Sequence, residues 1–186
     1  MTGREQEEYR ALRATIRERG TARVWVFVVG VCAWAALTVA TAALASTPLA
    51  TLLPLVVLAA SFEAVLTLHI GVERVGRYLQ VFHEADEEPR RWEHAAMAFG
   101  RPSGAVATDA LFVVPYLVAT LFNVTPAAIM RPTAAELVFI GGAHLLFVLR
   151  LVVTRHAASN QRAIDLERFR QLRPGAPVGT QSAQST

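Results

Sequence analysis

Glu63 and His144 are the residues of this 186-residue chain best placed to handle a proton or an ion, because each stands inside a long apolar run. Ionisable groups at membrane depth are costly, seldom face lipid and mark function more often than other positions do. Glu63 lies ten residues before Glu73, and His144 lies eleven before Arg155. Helical rise puts them about 15 and 16 Å from those charges, at matched depth. The match predicts that Glu63 turns inward to a partner and that His144 is that partner. Such a pair would share a proton, bind a cation, or simply satisfy both groups. Tyr116, beside Pro115, is a third candidate for this layer.

A second layer, nearer the charged ends of the same runs, holds His69, Asp109 and Arg150. Each also has an ordinary role. Arg150 can snorkel to the interface. Asp109 can mark a helix start, where an acid suits the dipole. His69 can bond Glu73 one turn further on. If those roles fail, Asp109 and Arg150 form an interior ion pair beneath Glu63 and His144.

Most catalytic chemistry lacks its motif. There is no His-Glu-x-x-His, no Cys-x-x-Cys, no phosphate-binding glycine loop and no Gly-x-Ser-x-Gly. His83-Glu84 and Glu93-His94 resemble metal-ligand dipeptides, but the Glu-x-x-His spacing of a di-iron bundle does not occur. Two depth-matched ligands are too few for a typical metal site. His69 and His144 differ by about 10 Å in estimated depth, which argues against one haem held between them. Cys32 is the single cysteine, so no internal disulfide forms, and packing is its expected role. No catalytic residue, metal ligand or cofactor is assigned.

The elements that must carry these residues follow from hydropathy. Apolar residues make up 53% of the chain against 18% charged, and they cluster in four stretches, about 24–46, 50–72, 106–126 and 135–154. Each approaches the roughly 20 residues that cross a hydrocarbon core. The first is too long for a cleaved signal peptide and is followed at once by the second. All 18 basic residues are arginine. Six precede the first stretch, five lie between the second and third, and six close or follow the fourth, leaving only Arg131 in the other two connections. Basic residues flanking spans stay cytoplasmic, so both ends are expected on that face. The pI of 9.7 then reflects arginines facing an anionic leaflet, not nucleic acid.

Residues 1–22 read as an amphipathic cytoplasmic helix. Thr2 and Glu5 have capping-box spacing, Tyr9, Leu12 and Ile16 share a face, and Gly20 marks a break. Residues 23–156 form the four-helix transmembrane domain, with a cytoplasmic helical connection at 73–104. Ala33, Ala36, Ala40 and Ala43 make a small-residue stripe on the first span, suited to close packing within the chain or to a homo-oligomer interface. Trp25 sits where an interfacial aromatic belongs. Pro48 falls in a tight hairpin connection, and the second helix runs on to about 85. A short helix at 90–99 carries Trp92, Ala96 and Phe99. Thr133 and Glu136 repeat the capping box at the fourth span. A cytoplasmic helix follows at 157–173, and the small polar residues of 174–186 should be disordered.

The expectation is an all-α polytopic protein of a bacterial inner membrane. It acts without catalysis, as an accessory, regulatory or homo-oligomeric interaction module. Its partners are the lipid bilayer, further copies of itself and a cytoplasmic protein that reads the helices at 2–20, 76–99 and 157–172. Two alternatives stand beside it. One is a proton- or cation-conducting transporter or channel centred on Glu63 and His144. The other is a membrane-embedded metal-dependent enzyme using Glu63, His69, Asp109 and His144.

Overall fold

The computed structural model describes residues 2–83 and 109–173, Ser159's side chain apart. The helix expected at 90–99, Glu93-His94, the first residues of the third stretch and the tail at 174–186 lie outside the described residues. Within them there are four α-helices and one 3-10 turn, and no strand: α1 (Gly3–Leu44), the turn (Pro48–Thr51), α2 (Leu52–Phe82), α3 (Val113–Ile129) and α4 (Ala134–Leu172).

Local signals set most of the boundaries. Thr2 Oγ1 accepts from the Glu5 amide while the Glu5 carboxylate accepts from the Thr2 amide at 2.6 Å, so α1 starts with both donors satisfied. Thr133 and Glu136 do the same for α4. Pro48 opens the 3-10 turn, where its missing N–H is no loss. Asp109 Oδ2 accepts from the Val114 amide at 2.8 Å and, with Phe112 at φ 54°, starts α3. Gly20 does not break α1, which is continuous. A lone glycine in a helix costs only about 1 kcal/mol against alanine, and 42 residues of unbroken ladder absorb it.

Three helices are long and apolar enough to cross a membrane: α1, α4, and α2 together with its leading turn. α3 has 17 residues, about 25 Å by helical rise. α2 is the central element: 44% of its apolar window is buried, against 6% for α1. Leu55, Leu58, Phe62 and Leu66 recur at helical spacing on its inner face, where they meet Tyr116 and Ala119 of α3 and Phe147 and Leu151 of α4. Phe27 of α1 stacks on Phe112 at 4.2 Å and meets Tyr116 edge-on.

The small-residue stripe does not pack within the chain. Ala33, Ala36, Ala40 and Ala43 are all exposed, and so is Cys32. The face of α1 turned to its neighbours carries Gly30, Trp34, Thr38 and Thr41 instead. A Cβ at Gly30 would stand 2.4 Å from Ser61 Cβ. Glycine is what lets α1 and α2 approach this closely.

Candidate functional site

Polar side chains lie at three levels along the bundle. The first is at the hairpin end, around Asn123, which is 0% exposed. Trp34 Nε1 donates to its Oδ1 at 3.2 Å, and Thr38 Oγ1 approaches the same oxygen at 3.4 Å. Its Nδ2 donates to the Thr51 carbonyl at 2.9 Å and to His144 Nε2 at 3.0 Å. Asn123 therefore joins α1, the 3-10 turn and α4 to α3, with both amide hydrogens and its oxygen engaged. The tautomer of His144 follows. Its Nδ1 lies 2.8 Å from the Ile140 carbonyl, which can only accept. Nδ1 must carry the hydrogen, and Nε2 accepts from Asn123. Both ring nitrogens of a neutral imidazole are used.

The second level is the pair of Glu63 and Arg150. Arg150 Nε donates to Oε1 at 2.7 Å and Nη2 to Oε2 at 2.9 Å, a bidentate fork between α2 and α4. The two side chains are 47% and 50% exposed. Glu63 is thus neither turned inward nor paired with His144. Ser61, Phe62 and Val65 occupy the inner face of α2, and Glu63 falls on its flank. The depth match with His144 fails because α2 and α4 are not level at Glu73 and Arg155. Arg162 is the residue that reaches Glu73, which offsets α4 by seven residues, about 10 Å. The same register brings Arg150 to Glu63 and lifts His144 toward the hairpin end.

The third level lies where the apolar stretches give way to arginine. Glu73 accepts from Arg162 Nη2 at 2.8 Å and from Nε at 3.1 Å, and also from Arg77. Arg23 Nη1 lies 3.0 Å from His69 Nδ1. A guanidinium only donates, so Nδ1 of His69 accepts. Asp165 accepts from Gln161 and lies 4.0 Å from Arg74. Beyond this level Tyr78 donates to Glu8 at 2.9 Å. These bonds join α1, α2 and α4 into one extension.

Of the candidates, Glu63 and Arg150 meet each other, and His69 meets Arg23. Asp109 caps α3 and pairs with no arginine among the described residues. Tyr116 is buried and donates to Ser61 Oγ at 3.0 Å, away from Glu63. The sequence did not single out Asn123 as the junction of the bundle, nor its partners Trp34, Thr38 and Thr51. A signal for it existed: Tyr116, Thr120, Asn123 and Ala127 recur at four, three and four residues, and all four are buried. Among the described residues no group of three or more His, Cys, Asp or Glu side chains is placed to hold a metal ion.

Glu73 supplies a pH prediction. Burial alone would raise its pKa. The Arg77 and Arg162 guanidinium groups and His69 outweigh burial and hold the carboxyl below its ordinary value of 4.5. A carboxylate lowered in the fold contributes stability above its unfolded pKa and loses it as pH falls through the folded value. Acidification through that window is expected to loosen the extension, read as faster amide exchange in residues 70–82. Glu73→Gln is expected to remove that acid step while weakening protection at neutral pH. An unchanged acid step in the variant would assign it to another group.

The chain matches no family model, no curated protein and no solved structure.

Proposed function

We propose that the chain crosses the cytoplasmic (inner) membrane four times with both ends in the cytoplasm, and that it is a non-enzymatic interaction module. Its extension docks a cytoplasmic partner, and its membrane bundle responds. One observation carries this reading: α1, α2 and α4 pass without a break from apolar stretch into polar extension. The ties of Glu73 to Arg162 and Arg23 to His69 hold the three together at the point of exit. Helices joined in this way move as levers, so force on the extension reaches Asn123 and Ser61 without an intervening hinge.

The arginine partition supports a cytoplasmic extension. The half-exposed fork of Glu63 and Arg150 supports a neighbour in the membrane. It lies five residues above Arg155, inside the apolar run, where a second copy or partner helix would relieve a costly exposure to lipid. A proton relay draws less support. Glu63 is held by Arg150 and His144 by Asn123 and Ile140, and the two groups do not bond to each other.

The test places a photo-crosslinking residue at Arg168, exposed on the extension, or at Val138, exposed near the hairpin end. A discrete protein adduct is expected at 168 and not at 138, and it should vanish when the neighbouring exposed Arg170 is replaced by Glu. No discrete adduct at 168, or one indifferent to the charge reversal, would reject the proposal.

A further inference from the structure

At the hairpin end α1 and α3 diverge and leave a groove of about 480 Å³ open to the side of the bundle. Trp34, Val39 and Ala42 form one wall, and Phe122, Ile129 and Met130 the other. Val39, Phe122 and Ile129 are 69%, 63% and 75% exposed, so the rims stand out from the bundle. The floor is closed by Trp34, whose indole N–H is already spent on Asn123. The volume falls in the range of small-molecule sites, and the lining offers almost nothing polar to a soluble ligand.

Two further observations name the occupant. The undescribed residues adjoin positions 2, 83, 109 and 173, all at the opposite end of their helices, so no such segment starts at this one. And Met130, on the groove wall, is followed directly by Arg131, the one arginine of the hairpin-end connections. Arg131 is exposed, sits at φ 53° in the left-handed region, and makes no hydrogen bond or ion pair among the described residues. A bulky side chain held there carries backbone strain of order 1 kcal/mol or more. We infer that this groove is a phospholipid site: one acyl chain lies between α1 and α3, and Arg131 holds the phosphate at the groove's mouth. A phosphate supplies the acceptor that Arg131 lacks, and an acyl chain matches an apolar channel that opens sideways into the bilayer.

The inference goes beyond the proposed function and needs only that the bundle sits in a membrane. Its test uses the full chain in nanodiscs of phosphatidylglycerol carrying a diazirine on one acyl chain. Diazirine-bearing diacylglycerol serves as a probe without phosphate. Wild type is expected to label α1 within residues 34–42 and α3 within 122–130 above its other exposed apolar surfaces. Ala42→Trp should fill the channel and suppress labelling with both probes. Arg131→Gln should lower phosphatidylglycerol labelling by about fivefold, the effect of one arginine at a lipid surface, and leave diacylglycerol labelling unchanged. The Arg131 variant lies outside the helices and keeps the test valid if Ala42→Trp misfolds. Labelling spread evenly over Leu145, Leu146 and the other exposed faces would overturn the site. So would protein–protein adducts through the groove, which would assign it to a second copy. A null effect of Arg131→Gln would remove the phosphate from the proposal and overturn it as stated. A failed partner adduct at Arg168 would leave these outcomes untouched.

Discussion

Asn123→Leu is expected to destabilise the bundle by about 2–4 kcal/mol, although leucine has the same branched shape and number of heavy atoms. The substitution removes the partner of the Trp34 N–H and of His144 Nε2, and takes a second donor from the Thr51 carbonyl, which caps α2. In water each buried unsatisfied group costs about 1–3 kcal/mol. Between membrane helices measured bonds average about 0.6 and reach about 1.7 kcal/mol, because the unfolded chain finds partners too. Asn123 makes four contacts, and four such bonds give the stated range. His144→Leu strands one amide hydrogen of Asn123 and should cost about 1 kcal/mol. Equilibrium unfolding in detergent by steric trapping reads both. An Asn123→Leu effect no larger than that of His144→Leu would show that the amide is not the junction of the four segments.

The second large effect is expected at Gly30. The Cβ of an alanine there would stand 2.4 Å from Ser61 Cβ and 2.8 Å from Ser61 Oγ. Real carbon atoms do not approach so closely, so the helices must part or tilt. Overpacking of this kind costs about 1–3 kcal/mol, and Gly30→Leu should reach the top of that range. Separation also disturbs the bond from Tyr116 to Ser61 and the stack of Phe27 on Phe112. Ser61→Gly opens the facing position. The double variant Gly30→Ala/Ser61→Gly should therefore regain much of what Gly30→Ala loses, short of the lost Tyr116 bond. Simple additivity of the two losses would place the strain elsewhere.

Patterns local in sequence were legible. The two capping boxes, the tight hairpin at Pro48 and the long run of α4 to Leu172 all depend on residues within a few positions of one another, and the structure has them. Asp109 took the helix-starting role that a charge-free run beyond it suggests. Register between helices was not legible. Glu63 and His144 look level only if each apolar run is assumed to end at the same height. The actual register is set by Arg162 reaching past Arg155's level to Glu73, and nothing within α4 alone distinguishes those two arginines as partners for α2. Rotation was equally hidden. The alanine stripe and the Gly30, Trp34, Thr38 and Thr41 face lie on one helix at similar spacing, and the choice between them is made by Ser61 on another helix. Asn123 was hidden among apolar neighbours because its value lies in four contacts, all of them to other segments.

The proposed threading puts the arginine-rich extension on one side of the membrane and the hairpin connections on the other. The direct measurement is labelling by a membrane-impermeant maleimide in intact and permeabilised cells. It uses a Cys32→Ala background with single cysteines at Arg13, Arg131 and Arg168. Position 131 is expected to react in intact cells, and positions 13 and 168 only after permeabilisation. Positions 13 and 168 reacting from opposite sides, or all three reacting alike before permeabilisation, would contradict it.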